Sequence, residues 1–481
     1  MPSAKGVIVR TETWIMAACT LLGLTGGMKL WQSMRESRDV ASAEREERRH
    51  SEETEMPIRI SDAPERWLPT SWNRLDEVGT NRRCNQDVFS QWQNETPCAA
   101  SPADPDVIIV GANDFSTGSV MASYYRTSDG GHSWQHAFSG LGPIGNECSF
   151  AGDPSVAADA TGRFYAVYCT YDCEWGQGVY CQTSRDNGCS WENPVSVGIT
   201  GPGYVEIDKP MVVCDYGPGS SYANNCYVVW MQIIDGMSVY FSRSTNNGRS
   251  FSTPLRISSQ NNCWCPSLAV GPEGQVYAAW IGIDLRSIFC DRSVNGGLSW
   301  GNDIRVTTFA DSVWPDNPCG EFRITHYPVI ACDISDSDYH GHIYLCWDMK
   351  DNADDGNIYF CRSTNGGQTW SDTARVNDDG TVRMQWWPWI AVHPRTGDIG
   401  ISWLDRREDP NNCNYSVYGT ISTDGGANWL PNIRISDQIL DPSRSTFLGD
   451  YTGITYSNLG FVSAWTDTRN DECDAYAAWW N

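Results

Sequence analysis

Carboxylates, guanidinium groups and aromatic rings recur in this chain beside proline and tryptophan. One series comprises Asp153-Pro154, Asp208-Lys209-Pro210, His326-Tyr327-Pro328, Trp386-Trp387-Pro388 and Asp450-Tyr451. A second comprises Asp114, Asp284, Trp347-Asp348, Trp403-x-Asp405-x-Arg407 and Trp465-x-Asp467-x-Arg469. Acid–base cleavage of a glycosidic bond needs two carboxyl groups, one protonated and one ionised. Asp153 and Asp208 are candidates for the acid, and Arg323, Arg407 and Arg469 are candidates to meet a ligand carboxylate. Each residue also has a structural reading. Asp405 with Arg407, and Asp467 with Arg469, lie two apart on one strand face and can pair with each other. Lys209 can neutralise Asp208, and tryptophans at strand ends can be core rather than sugar platforms.

The elements that must position these groups follow from a repeat. Six segments end in Asp/Asn-x-Gly-x-x-Trp/Phe turns: SDGGHSW, SRDNGCSW, STNNGRSF, SVNGGLSW, STNGGQTW and STDGGANW. Their Asp/Asn positions are Asp129, Asp186, Asn246, Asn295, Asn365 and Asp424, spaced by 57, 60, 49, 70 and 59 residues. Glycine allows the positive φ of a tight hairpin, and Asp or Asn bonds backbone amides further along the turn. Half the set carries Asn, so charge is dispensable there, which favours a structural role over a metal site. Strands precede each turn, as in Val276–Trp280 and Val239–Arg243, and a fourth follows, as in Leu255–Ser258, Ile304–Thr307, Ala374–Asn377 and Ile433–Ser436. Four antiparallel strands per unit describe a propeller blade.

After the sixth turn, Phe447–Tyr456, Gly460–Asp467 and Asp474–Trp480 supply three more strands. Ile58-Arg59-Ile60-Ser61 matches Ile433–Ser436 and is the expected fourth, with Arg59 beside Tyr476. The expected fold is therefore all-β: a seven-bladed propeller of four-stranded antiparallel blades over residues 57–481, its last blade closed by the N-terminal strand. Closure leaves no open edge. The turns occupy one face, and the groups of both series converge on the other.

The six turns resemble Asp boxes, and residues 57–481 resemble the Asp-box (BNR repeat) propellers of the sialidase superfamily. The resemblance implies sialidase-like glycoside hydrolysis with a tyrosine nucleophile. By position that tyrosine is Tyr451, with Glu206 to activate it and Asp153 or Asp208 as acid. Arg323, Arg407, Arg469, Asp405, Asp450, Asp467, Trp387 and Tyr327 are then the ligand-binding candidates. Phe322-Arg323-Ile324-Thr325 is similar to the superfamily's Phe/Tyr-Arg-Ile-Pro motif but has Thr in place of Pro. Similar boxes also occur in sorting receptors and assembly factors, so the alternative is a non-catalytic propeller that binds a glycan or a protein.

Composition narrows the partners. The 481 residues carry a net charge of −25, almost all of it beyond residue 56, which disfavours nucleic acid. Trp14–Leu24 is an apolar run after Lys5 and Arg10, so residues 1–31 are expected to be a signal peptide or signal-anchor, and the charged stretch 32–56 a stalk. Either reading leads to the secretory pathway, and to an extracellular or membrane-tethered body with a glycan or glycoprotein partner. Asn94-Glu95-Thr96 and Asn414-Tyr415-Ser416 are glycosylation sequons. The 19 cysteines point to disulfides, with Cys169–Cys181, Cys214–Cys226 and Cys346–Cys361 as guesses. No cofactor is implied. Structural zinc lacks ligand spacing, and calcium, though compatible with so much carboxylate, lacks an EF-hand loop.

Overall fold

The computed structural model describes residues 77–481, apart from the loop segments 88–90, 117, 141–147, 174–176, 200–205, 234–235, 310–312, 316, 318, 320–321, 351–355 and 444. The expected leader, stalk and Ile58–Ser61 strand lie outside the described residues.

Seven antiparallel sheets follow one another along the chain, and no helix occurs among the described residues. Six sheets have four strands. In blade 1 the innermost strand is interrupted, as Gln93–Asn94 and Cys98–Ser101, which makes five. Blades 2 to 6 start at Cys148, Glu206, Cys263, Val329 and Gln385. Blade 7 is Gly453–Tyr456, Phe461–Asp467 and Asp474–Trp480, closed by Arg82–Arg83.

Burial on both faces explains the composition of the second strands. Trp230, Trp280, Trp347, Trp403 and Trp465 are all buried, each directly opposite an aromatic on the third strand: Tyr240, Phe289, Tyr359, Tyr418 and Tyr476. These rings are the glue between blades, and the structural reading of the strand-end tryptophans holds at these positions. On the far side of each third-strand aromatic, the fourth strand contributes an arginine: Arg256, Arg305, Arg375, Arg434 and, opposite Tyr476, Arg83.

The turns are built as their residues require. The hydroxyls of Thr127, Ser184, Ser244, Ser293, Ser363 and Ser422 accept the N–H of the glycine four residues on, at 2.8–3.0 Å. In the first turn Thr127 does this, not Ser128. Oδ1 of each Asp or Asn accepts the N–H four residues on, also at 2.8–3.0 Å. The second side-chain atom explains the mixture of types. In Asp129 and Asp186 Oδ2 accepts from a serine hydroxyl, whereas in Asn246 and Asn295 Nδ2 donates to one.

The strand that closes the ring is a correction. Arg83 lies opposite Tyr476, in the place expected for Arg59. The signal was present: Arg83-Cys84-Asn85-x-Asp87 reproduces Arg375-Val376-Asn377-x-Asp379 of blade 5. Cys84 N–H donates to Ala475 O (2.7 Å) as Val376 N–H does to Ile358 O (2.9 Å). Asn85 Oδ1 accepts from Ala475 N–H (3.1 Å), and its Nδ2 donates to Gln93 Oε1 (2.7 Å). Asn377 makes the same pair of bonds to Ile358 and Gln385, both at 3.0 Å. Polar side chains rather than the Ile-Arg-Ile pattern define this strand.

The cysteine expectations are also revised. Cys148–Cys173 and Cys319–Cys413 are the disulfides among the described residues, and the guessed partners are free thiols. Cys346 pairs with Phe360 and Leu345 with Cys361, so the two sulfurs leave opposite faces of the sheet. Cys169 and Cys181 are diagonal neighbours, about 7–8 Å apart and beyond bridging distance. Cys214 and Cys226 do sit opposite each other but remain thiols. The Asn94 sequon is closed off: the side chain is fully buried, accepts from Asn113 (3.0 Å) and donates to Phe447 O (3.2 Å).

Asn85→Ala and Asn377→Ala each leave a buried strand N–H without its acceptor. Each should cost roughly 1–3 kcal/mol, lowering the thermal midpoint by a few degrees. Differential scanning calorimetry of the two variants checks whether the closing strand and an interior strand contribute alike.

Candidate functional site

The first series of residues owes its position to bulges in the innermost strands. Register slips occur at Gly152/Ser155, Asp208/Met211, Trp264/Ser267 and Trp386/Trp389. In each bulge the residue before proline has positive φ: Asp153 (52°), Lys209 (53°), Cys265 (49°) and Trp387 (50°). Glu95 of blade 1 also has positive φ, at 57°, although Thr96 rather than proline follows it. Such geometry costs about 1–3 kcal/mol per residue and persists only where surroundings enforce it. A bulge redirects its side chain, and here the redirected side chains meet. With Tyr327 and Tyr451 at the corresponding positions of blades 5 and 7, seven residues ring the central axis. Glu95, Asp153 and Lys209 form an ionic arc, and Cys265, Tyr327, Trp387 and Tyr451 a mostly aromatic one.

At the centre of the ionic arc is one ammonium. Lys209 Nζ lies 3.3 Å from Glu95 Oε1, 3.1 Å from Asp153 Oδ1, 3.2 Å from Asp208 Oδ1 and 2.8 Å from Asp450 Oδ2. These carboxylates come from blades 1, 2, 3 and 7, so one buried charge spans the seam where the ring closes. Gly449, at φ 103°, lets the chain pass so close to Glu95 that a Cβ there would lie 2.8 Å from its Cγ. Asp450 is delivered to the cluster in this way. Its other partner is Arg323, whose Nε–Oδ1 distance is 2.9 Å and whose Nη2 reaches Oδ2. The guanidinium lies 4.8 Å from the Phe447 ring.

The protonation states follow from burial and neighbours. Burial, the largest single influence, raises the Asp153 and Asp450 carboxyls, and Lys209 is the first of several partners that together outweigh it. With hydrogen bonds from Tyr171, Glu95 and Asp208 on Asp153, and with Arg323 on Asp450, both are held below the ordinary range. Burial wins at the other two. It pushes Asp208 up to about 7 and Glu95 well above its usual value, because the charges of Asp153 and Asp450 add to it and Lys209 only partly offsets it. Burial lowers Lys209, yet its four carboxylate neighbours dominate and keep it charged. Two cations therefore face two ionised carboxylates and two carboxylic acids below neutrality, a balanced set. Glu95, Lys209 and Asp450 are sealed, whereas the Asp153 and Asp208 side chains are 12% and 19% exposed and Arg323 52%. These last three form the open lip.

The aromatic arc is a plug. Tyr451 Oη donates to Pro154 O (2.7 Å), Tyr327 Oη to Pro266 O (3.1 Å) and Trp387 Nε1 to Thr325 O (3.0 Å). Tyr327 and Tyr451 stand 6.0 Å apart, with Trp389 5.3 and 5.8 Å from them. Tyr451, Tyr327 and Trp387 are all buried, so their hydroxyls and ring faces are turned to protein. In the Lys209 cluster the tyrosine that meets a carboxylate is Tyr171, whose Oη lies 2.5 Å from Asp153 Oδ2. No motif marked it, although its place on the strand beside Asp153 was legible. Glu206 starts the inner strand of blade 3 and pairs with Ile233. Its side chain lies outside the description.

The second series stays apart from this centre. Arg407 binds Asp405 (2.8 Å) and Asp378 (2.7 Å) and stacks on Tyr418. Arg469 binds Asp467 (2.8 Å) and Asp437 (2.9 Å) and stacks on Tyr476. Trp403 and Trp465 each donate their indole N–H to the neighbouring carboxylate at 2.7 Å. These are two copies of one inter-strand tie, and the structure brings neither arginine to Arg323. In blade 5 the equivalent region carries a buried His326–Asp348 pair, 2.7 Å apart.

No protein-family model matches the chain, and no curated protein does. Among solved structures, it is similar to the Hadza microbial sialidase Hz136, with 12% identity over 86% of this chain and 98% of that one and a TM-score of 0.45. It is also similar to the NanB sialidase from Streptococcus pneumoniae (9% identity, 86% and 99% coverage, TM-score 0.47). A third such structure is an α-L-arabinanase from Penicillium chrysogenum (11% identity, 66% and 94% coverage, TM-score 0.42). At these identities the likeness assigns neither activity nor residue roles.

Lys209→Met should cost about 3–5 kcal/mol in urea unfolding, since it strands carboxylates in a buried site. pH separates the two carboxyl pairs. Asp153 and Asp450 stabilise the fold above the ordinary carboxylate pKa, and this is lost as pH falls below it. Asp208 and Glu95 hold protons in the folded state, so their contribution declines as pH rises from about 4 through the Asp208 value of about 7. Asp208→Asn should match the unaltered protein in thermal midpoint at about pH 4 and exceed it increasingly as pH rises toward 8.

Proposed function

We propose that this chain is a carbohydrate-binding propeller of the secretory pathway that recognises a glycan at the Lys209 mouth without cleaving it. The observation that carries the reading is the company kept at the lip. Arg323 is half exposed, the Asp208 and Asp153 side chains reach solvent only slightly, and exposed rings occur on adjoining segments. Phe150 lies on the Asp153 strand and is 41% exposed. Trp314 is 42% exposed, and its ring packs 5.2 Å from Trp264, the neighbour of Cys265. Polar groups that bond hydroxyls, beside flat apolar surfaces, suit a sugar.

Three features favour binding over hydrolysis. Asp153 and Asp208 are both committed to Lys209 Nζ, at 3.1 and 3.2 Å, whereas carboxyls that cleave a glycosidic bond stand on either side of it. Tyr451 is committed to Pro154, and Arg407 and Arg469 to their own carboxylates. In this reading, kinship with the Asp-box propellers of the sialidase superfamily describes the scaffold and not the activity. The disulfides and the apolar run at residues 14–24 support an extracellular or tethered body. A hydrolytic reading draws on one observation: Asp208, poised at about 7, adjoins ionised Asp153 and its partner Tyr171.

A glycan array probed with the full chain, followed by product analysis of every hit, tests the proposal. Retention without release of sugar is expected, and Trp314→Ala should weaken binding a few-fold to about tenfold. An array with no hits would sink the binding reading, and turnover that Asp208→Asn abolishes would replace it with the hydrolytic one.

A further inference from the structure

We infer that Asp291 is a pH-sensitive latch: protonated, it donates to Gly301 O and ties the hairpin of blade 4, and on ionising it lets that tie go. The repeat shows what its place requires. In blades 2, 3 and 6 the third strand carries a donor there, aimed at the carbonyl ten residues on. Gln182 Nε2 donates to Glu192 O (2.9 Å), Ser242 Oγ to Ser252 O (2.7 Å) and Thr420 Oγ1 to Leu430 O (2.6 Å). One backbone bond frames each of them: Glu192 N–H to Thr183 O, Ser252 N–H to Arg243 O and Leu430 N–H to Ile421 O, at 2.8–2.9 Å. Blade 4 keeps the frame, with Gly301 N–H donating to Arg292 O at 3.0 Å, but sets Asp291 in the donor's place.

A carboxylate cannot donate. Asp291 is buried, its Oδ1 accepts Arg292 N–H (2.7 Å), and a Cβ on Gly301 would lie 2.9 Å from that oxygen. Oδ2 is buried with no partner among the described residues. An unpaired buried oxygen packed on the residue whose carbonyl is satisfied in the other blades is a place for a proton. Burial raises the carboxyl most and Asp303 adds to it. The N–H groups of Arg292 and Gly301 and the Arg292 charge offset them only in part, so it titrates at about 6. Arg292 turns its guanidinium to Gly366 O (2.9 Å), Asp303 accepts from Ser259 N–H (2.9 Å), and Arg243 of blade 3 reaches Gly296 O of the turn (2.7 Å). The second strand places Ala278 opposite, and burial pushes the neighbouring Cys290 thiol up. An acid raised by folding contributes fully below the ordinary carboxylate value, about 4, and its contribution is lost as pH rises through about 6. The hairpin so tied holds two large apolar side chains out in water, Val294 at 65% and Leu298 at 62% exposure.

Hydrogen exchange of the full chain from pH 4 to 8, read on residues 292–301 against their counterparts 243–252 in blade 3, tests the latch. The two hairpins share one frame and neither contains an acid, so the ratio of their rates removes the intrinsic pH dependence of exchange. The expected ratio rises about tenfold or more between pH 4 and 7 and then levels off. It should stay flat in Asp291→Asn, whose amide donates at every pH, and in Asp291→Ser, which copies blade 3. A flat ratio in the unaltered protein, or an equal rise in a folded Asp291→Asn, would overturn the latch. The first of these outcomes needs no variant, so the test stands even if both substitutions unfold the chain.

Discussion

The contact between the Lys209 ammonium and four carboxylates organises this molecule. A propeller has no single core. It is a ring of sheets whose mutual packing is apolar and non-directional, so something must specify which sheets meet at the axis. Glu95, Asp153, Asp208 and Asp450 come from four blades, including those on both sides of the seam, and each has one partner in common. Taking five ionisable groups out of water would be ruinous were they not matched. Below neutrality, two protonated and two ionised carboxyls, with Arg323 as second cation, match the charges.

The strain in the innermost strands belongs to the same arrangement. Residues before proline rarely adopt positive φ, yet Asp153, Lys209, Cys265 and Trp387 all do. An unbulged strand would alternate its side chains between blade faces. The bulge breaks the alternation and aims one residue per blade at the axis, where the ionic arc and the aromatic plug are assembled. The local cost of each bulge is offset where those residues meet.

Much of the architecture was legible because it is periodic. Six turns with fixed chemistry gave the blade count, and the arginine ten residues after four of them marked the outer strands. The closing strand was misread because hydrophobic pattern was given more weight than polar chemistry. Ile58–Ser61 has the apolar alternation of Ile433–Ser436, but Asn85 and Asp87 repeat the bonds that hold blade 5. The site was legible in its ingredients only. Asp153, Asp208, Asp450 and Arg323 do come together, but Lys209 was taken for a local neutraliser of Asp208 and proved to be the hub of the site. Glu95 lies in the interrupted strand of blade 1, before the first turn, where the repeat offered no template. Tyr451 was chosen by position, and only three dimensions reveal that its hydroxyl is taken up by Pro154.

The turns on the opposite face carry a different implication. Their second side-chain atom accepts from a hydroxyl when it is the oxygen of Asp129 and donates to one when it is the nitrogen of Asn246, and the hairpin is the same. Each exchange of one type for the other shifts the surface by a whole charge while leaving the backbone untouched. That rim can therefore drift toward acidity or neutrality under selection for solubility or for neighbours, independently of anything that happens at the mouth.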